Sequence, residues 1–204
     1  SAVDIPQICV ADCFEALRQL ALAGRQRFQG IKFGITGSVG KTGSKDMLWH
    51  VLSQFGTCHA SQRSFNNHIG VPVTLASLPE YADFSVQEMG MSASGEIANL
   101  THMVRPNVAF ITRVANTHRE FFPSTAAIAD AKAEIFQGLE QASIAILNRD
   151  DAFFENLQTA AINNGAKRII SFGNHSDSDY RLLSIDHHVN GMTISASLAG
   201  LACI

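Results

Sequence analysis

The stretch that decides the fold is Phe33-Gly34-Ile35-Thr36-Gly37-Ser38-Val39-Gly40-Lys41-Thr42. It reads as a short apolar strand, a glycine-bearing loop, and Lys-Thr at the start of an amphipathic helix. Glycines free backbone N–H groups to point at phosphate oxygens, and the helix N-terminus adds a partial positive charge. In such a loop Lys41 reaches the β- and γ-phosphates and the Thr42 hydroxyl ligates Mg²⁺. The long form of the pattern would place a glycine where Ile35 stands, so this is the shorter Thr-Gly-Ser-x-Gly-Lys-Thr. The strand before it and the helix after it strengthen the reading.

Outward from the loop, strand and helix alternate. Helices are expected over 12–28, 41–55, 95–104, 124–139 and 152–163, and strands over 31–36, 57–61, 85–89, 108–114, 143–147 and 168–172. Met47, Leu48, Val51, Leu52 and Phe55 are expected on one face of the helix after the loop. Residues 62–80 read as a loop. Residues 180–186 and 192–198 read as a hairpin turning at Asn190-Gly191. The alternation predicts an α/β fold, a mostly parallel P-loop-type sheet with helices on both faces, plus the C-terminal hairpin. Residues 1–29 read as a linker and helix leading from another domain. Residues 30–204 read as one ATP-binding domain, and the apolar run Leu198 to Ile204 is expected to lead on into further chain of that domain.

Composition sets bounds. The chain has 204 residues, 46% hydrophobic and 16% charged, with a formal net charge of −3. That suits an ordinary globular core and gives no reason to expect a nucleic-acid backbone or an anionic membrane as partner. No apolar run approaches the roughly 18 residues of a membrane span, and no signal peptide is recognisable. Cys9, Cys13, Cys58 and Cys203 form no C-x-x-C pair, which argues against zinc and fits a reducing, cytoplasmic setting.

Ligands of open parallel sheets bind outside the carboxyl ends of the strands. Glu88 ends one strand and His118 follows another, so each is either a metal ligand beside the loop or an ordinary surface or loop side chain. Lys132 falls within the apolar arc of Ile128, Ala131, Ile135 and Leu139 when the chain advances about 100° per residue. Asp130 and Glu134 fall opposite, on the solvated side. A lysine on a buried face either snorkels, contacts phosphate, or is carbamylated. Ser64, Asn66, Asn67 and His68 either orient a polar substrate or form a surface loop. Asp151 reads as a helix cap.

Together these segments resemble the Mur ligases. The resemblance rests on Ile35-Thr-Gly-Ser-Val-Gly-Lys-Thr42, Asn66-Asn-His-Ile-Gly-Val-Pro-Val-Thr-Leu75, Glu88-Met-Gly-Met91 with Gly95-Glu-Ile97, His118-Arg-Glu-Phe-Phe122, Ala131-Lys-Ala-Glu-Ile-Phe136 and Ile146-Leu-Asn-Arg-Asp150, in the family's order. It covers roughly residues 12–175. Gly43-Ser44, His68 and Arg119 depart from the usual pattern without removing a proposed ligand.

The resemblance implies the central ATPase domain of a three-domain, ATP-dependent amide ligase of peptidoglycan synthesis. Its substrates would be UDP-N-acetylmuramoyl-tripeptide and D-alanyl-D-alanine, joined through an acyl phosphate, with ATP and Mg²⁺ required. Gly37, Ser38, Gly40, Lys41 and Thr42 would bind ATP. Thr42, Glu88, His118 and Lys132 (as its carbamate) would hold magnesium. Lys41, Lys132 and His118 would serve catalysis, and Asn66 and Asn67 would lie near the muramoyl substrate. A folylpolyglutamate-type ligase, a P-loop kinase or switch NTPase, and a non-catalytic ATP-binding fragment are the competing readings.

Overall fold

The computed structural model describes residue 5 and residues 7–116, 121–198 and 201–203. Helix α1 (Cys13–Arg27) precedes β1 (Ile31–Thr36), α2 (Lys41–Leu52), β2 (Cys58–Ala60), α3 (Gly70–Ala76), β3 (Phe84–Glu88), α4 (Glu96–Val104) and β4 (Val108–Ile111). Then come α5 (Thr125–Ala133), a 3-10 turn over Glu134–Gly138, β5 (Ile144–Asn148), α6 (Phe154–Asn163) and β6 (Arg168–Gly173). The chain closes with β7 (Tyr180–His188), β8 (Gly191–Leu198) and β9 (Leu201–Cys203).

The nine strands form one sheet in the order β2-β3-β1-β4-β5-β6-β7-β8-β9. Pairing is parallel from β2 through β7 and antiparallel for β7–β8 and β8–β9. From β1 the chain crosses to β2 on one side, and from β3 it crosses back over β1 to β4 on the other. Right-handed crossovers of opposite direction put the intervening helices on opposite faces. Accordingly α2 packs mainly on β1, β2 and β3, whereas α1, α3, α4, α5, the 3-10 turn and α6 contact one another in a chain along the second face. The point where strand order reverses lies at β1, where the glycine loop leaves the sheet.

The core fills the space between the sheet and that larger helix layer. Leu75 and Val71 of α3, Ile97, Leu100 and Val104 of α4, Ile128 of α5, Ile135 and Phe136 of the 3-10 turn, and Leu157 and Ala161 of α6 are all buried. They meet Ala109, Ile111, Ala145 and Leu147 from β4 and β5. Helix α1 lies on α3 at Gly24, where any β-carbon would strike the Leu75 carbonyl. Asp12 caps α1, its Oδ1 accepting from the Phe14 and Glu15 amides at 2.8 and 3.0 Å.

Four local expectations change. Residues 70–76 are helical rather than loop; Gly70 and Pro72 occupy the first turn, where a missing N–H costs nothing. The face of α2 is rotated: Lys45 is its one fully buried residue, while Met47, Val51 and Phe55 are exposed (71%, 47% and 78%). The expected helix 124–139 tightens to 3-10 geometry at Glu134, and that carboxylate is buried at 8% exposure, bonded to the start of α4, instead of facing solvent. The hairpin turn falls on Val189-Asn190, because His188 still pairs with Gly191, and residues 201–203 add an edge strand.

Candidate nucleotide and metal site

β1 ends at Thr36 in the middle of the sheet, and the loop beyond it is shaped by the exit of β4. The Ser38 amide donates to the Arg113 carbonyl at 2.7 Å, and the Ser38 hydroxyl donates to the Ala115 carbonyl at 3.0 Å. Thr112 Oγ1 donates to the Val39 carbonyl at 2.6 Å. Gly37 sits at φ +153° against Thr112, where a β-carbon would overlap the threonine hydroxyl. Gly40 takes a left-handed φ of 82° as the residue before α2, a conformation that suits glycine. Residues 37–40 thereby deliver the free amides of the first turn of α2, with Lys41 and Thr42, to the carboxyl edge of the sheet. Thr112 and Ser38 are framework residues here. Nothing in the short glycine motif marks Thr112; only its tertiary position against Gly37 does.

Glu88 ends β3 beside β1, paired in register with Ile35. It is 1% exposed. Its Oε2 accepts from Thr42 Oγ1 at 3.0 Å and its Oε1 from Asn66 Nδ2 at 2.8 Å. Ser64 Oγ stands 3.4 Å from the same threonine hydroxyl. Among the described residues Glu88 makes no ion pair. A buried carboxylate met only by neutral donors, with two hydroxyls alongside, is an oxygen-rich, negatively charged setting. Such donors fit a hard divalent cation such as Mg²⁺, which binds through one or two carboxylates and keeps several waters.

Two lysines complete the centre. Lys41 Nζ donates to the Gly37 carbonyl at 2.9 Å, folded over the loop. Burial lowers its pKa and the Glu88 charge opposes that shift. Lys132, on α5, is 3% exposed, and its Nζ makes no hydrogen bond or ion pair among the described residues. Its pKa falls from 10.5 to about 7, first through burial and then through repulsion by Lys41. Lys132 is thus close enough to Lys41 for their charges to repel. About half of such an amine is neutral at pH 7. Two residues on, Glu134 caps α4 from a distance: it accepts from the Gly95 and Ala98 amides at 2.7 and 3.0 Å and from Ser94 Oγ at 3.0 Å.

The two asparagines separate in role. Asn66 faces Glu88, whereas Asn67 Oδ1 accepts from the Ile69 and Gly70 amides at 3.1 and 2.9 Å and so starts α3. Both border a cavity of about 320 Å³ that runs from Lys41 past Gly90, Ser92 and Glu96. A second hollow of about 330 Å³ continues it to Asn99 and Met103. His118 lies outside the described residues. Asp151 does not cap α6; its Oδ2 accepts from the Val114 amide at 2.6 Å and its Oδ1 from the Phe153 amide at 3.0 Å, tying the exit of β4 to the turn after β5. Asp150 accepts from the amides of Asn174 and His175 at 2.7 and 2.8 Å, and the first of these bonds leads the causes that lower its pKa.

Comparison with known proteins identifies the family. The Mur ligase middle domain model matches residues 35–201. The UDP-N-acetylmuramoyl-tripeptide–D-alanyl-D-alanine ligase of Escherichia coli (strain K12) is 39% identical over 185 residues, covering 90% of this chain and 40% of that protein. The ligase of the same name from Synechocystis sp. is 43% identical over 148 residues, 72% of this chain and 33% of that one. The chain thus spans about two-fifths or less of these relatives. The crystal structure of MurF from Acinetobacter baumannii superposes with a TM-score of 0.87 at 29% identity, over 100% of this chain and 44% of that one. With its phosphate loop, buried carboxylate and buried lysine set on this sheet, and with residues 35–201 matched throughout, the chain belongs to the Mur ligase middle-domain family.

Proposed function

We propose that this chain is the ATP-binding middle part of a cytoplasmic ligase that joins D-alanyl-D-alanine to UDP-N-acetylmuramoyl-tripeptide in peptidoglycan synthesis. On this reading residues 30–204 form the ATP-binding unit and residues 1–29 lead into it. The observation that carries the proposal is the gathering of Lys41, Thr42, Glu88 and Asn66 at one end of the sheet, with Lys132 close enough to Lys41 for their charges to repel. The names of the relatives support the choice of substrates. A solved MurF from Thermotoga maritima, 23% identical, is described as a complex with ADP.

In the proposed reaction the terminal carboxylate of the tripeptide attacks the γ-phosphorus of ATP. The bond to the β-phosphate oxygen breaks, and an acyl phosphate and ADP result. The amine of D-alanyl-D-alanine then adds to the acyl carbon, loses a proton, and expels inorganic phosphate. The amides of the first turn of α2 hold the phosphate oxygens. Lys41, released from the Gly37 carbonyl, follows the negative charge as it develops on the γ-phosphoryl oxygens. Thr42, Glu88, His118 and the Lys132 carbamate would hold Mg²⁺, which neutralises phosphate charge when bound. Lys132 serves there only after its neutral amine has added to CO₂ and lost a proton, becoming an anion. The cavity beyond Asn66 and Ser92 holds the incoming carboxylate close to the phosphate loop, and such positioning supplies much of the remaining rate.

Phosphate release by the full-length polypeptide carrying this chain tests the reading. Turnover is expected only with ATP, Mg²⁺, UDP-N-acetylmuramoyl-tripeptide and D-alanyl-D-alanine together. ATP hydrolysis at the same rate without either peptide substrate would point instead to a switch NTPase.

A further inference from the structure

Lys45 is a fully buried lysine, at 2% exposure, and the proposed chemistry does not use it. It lies one helical turn beyond Lys41 and is the only fully buried residue of α2. Its Nζ donates to the Ser61 carbonyl at 3.0 Å and to the Arg63 carbonyl at 2.6 Å. The third group near it, Asp46 Oδ1 at 3.1 Å, is mostly in water. The helix that carries the phosphate loop is therefore fastened by an ammonium group rather than by an apolar knob.

What the ammonium holds is the strap between β2 and α3. Arg63 takes a left-handed φ of 48°, uncommon for a residue with a β-carbon, and its carbonyl is the nearer of the two acceptors. The next residues are Ser64, beside the Thr42 hydroxyl, and Asn66, which donates to Glu88. The far end of the strap is fixed by the Gly90 amide, which donates to the Asn66 carbonyl at 2.7 Å. An apolar side chain at 45 would leave both carbonyls without this donor, the Ser61 carbonyl in a buried setting. We infer that Lys45 is a positioning residue: it locks the Ser61–Asn66 strap to α2, so that Ser64 and Asn66 hold Thr42 and Glu88 in the arrangement that receives the metal–nucleotide.

The inference rests on the ligase reading for its assay. Wild-type turnover that requires both peptide substrates establishes that reading first, and variants of the same full-length polypeptide then test Lys45. Lys45→Met is expected to raise KM for Mg²⁺–ATP about tenfold while KM for D-alanyl-D-alanine stays within about twofold. Lys45→Gln, whose shorter amide reaches at most one carbonyl, is expected to raise the same constant about threefold. In a Ser64→Ala background the Lys45→Met effect is expected to shrink, because both changes act through the strap. Amide exchange is expected to quicken across residues 61–67 and not elsewhere in the sheet. Wild-type constants in Lys45→Gln would overturn the inference. So would an equal rise in every KM, an undiminished effect beside Ser64→Ala, or a uniform loss of protection. Any of these would make Lys45 a stabilising residue only.

Discussion

The buried amine of Lys132 makes the sharpest prediction. Holding a lysine at a pKa of about 7 instead of 10.5 costs the folded protein roughly 5 kcal/mol at acidic pH, since each unit is worth about 1.4 kcal/mol. The sign follows from the direction. Between pH 7 and 10.5 the unfolded chain binds a proton at this position that the folded chain has released. Stability therefore rises with pH in that window, by up to about 1.4 kcal/mol per unit, and the penalty is fully present below pH 7. Lys132→Met keeps the volume and removes the charge. In CO₂-free buffer the variant is expected to be the more stable protein at pH 6.5, by up to about 5 kcal/mol, with the gap closing steadily toward pH 10. Bicarbonate is expected to reverse the order if the amine is carbamylated as proposed. The neutral amine adds to CO₂, releases a proton, and becomes an anion that Lys41 attracts rather than repels. Urea denaturation of the full-length polypeptide from pH 6.5 to 10, with and without bicarbonate, reads both effects. A ¹³C carbamate resonance should appear in wild type and be missing from Lys132→Met. A stability gap that does not change with pH, or a wild type indifferent to bicarbonate, would refute the reasoning from burial and the Lys41 charge.

Other consequences are as concrete. Glu88→Gln keeps the shape but removes the negative charge beside Thr42, and is expected to lower ligase turnover at least about 100-fold with a thermal midpoint little changed; full activity at ordinary Mg²⁺ concentration would disprove its role. Gly37→Ala drives a β-carbon into Thr112 Oγ1, so ATP binding measured by calorimetry should be lost even though the sheet still folds. Glu134→Ala strips the acceptor from Ser94, Gly95 and Ala98 and is expected to cost about 2–4 kcal/mol in urea denaturation, where a cost below about 0.5 kcal/mol would show the cap to be idle. Phe55→Glu, at a residue 78% exposed, should shift stability by no more than about 0.5 kcal/mol.

The amino-acid sequence on its own determined the order and type of most elements, because strand-period and helix-period apolar patterns alternate cleanly from Ile31 to Phe172. It also marked the phosphate loop, since glycine at 37 and 40 answers a backbone requirement local to the chain. Tertiary structure decided what periodicity does not encode. The face α2 turns to the protein depends on whether a lysine can reach two carbonyls of a strap some 16 to 18 residues away, so the apolar row Met47, Val51 and Phe55 was left outside. Glu134 turned inward because the open N-terminus of α4 offered it three donors. Thr112 entered the site only because strand order sets β4 beside β1. Local pattern fixes which backbone each segment prefers; which buried polar groups find partners is set by distances between segments far apart in the chain, and those exist only once the sheet has formed.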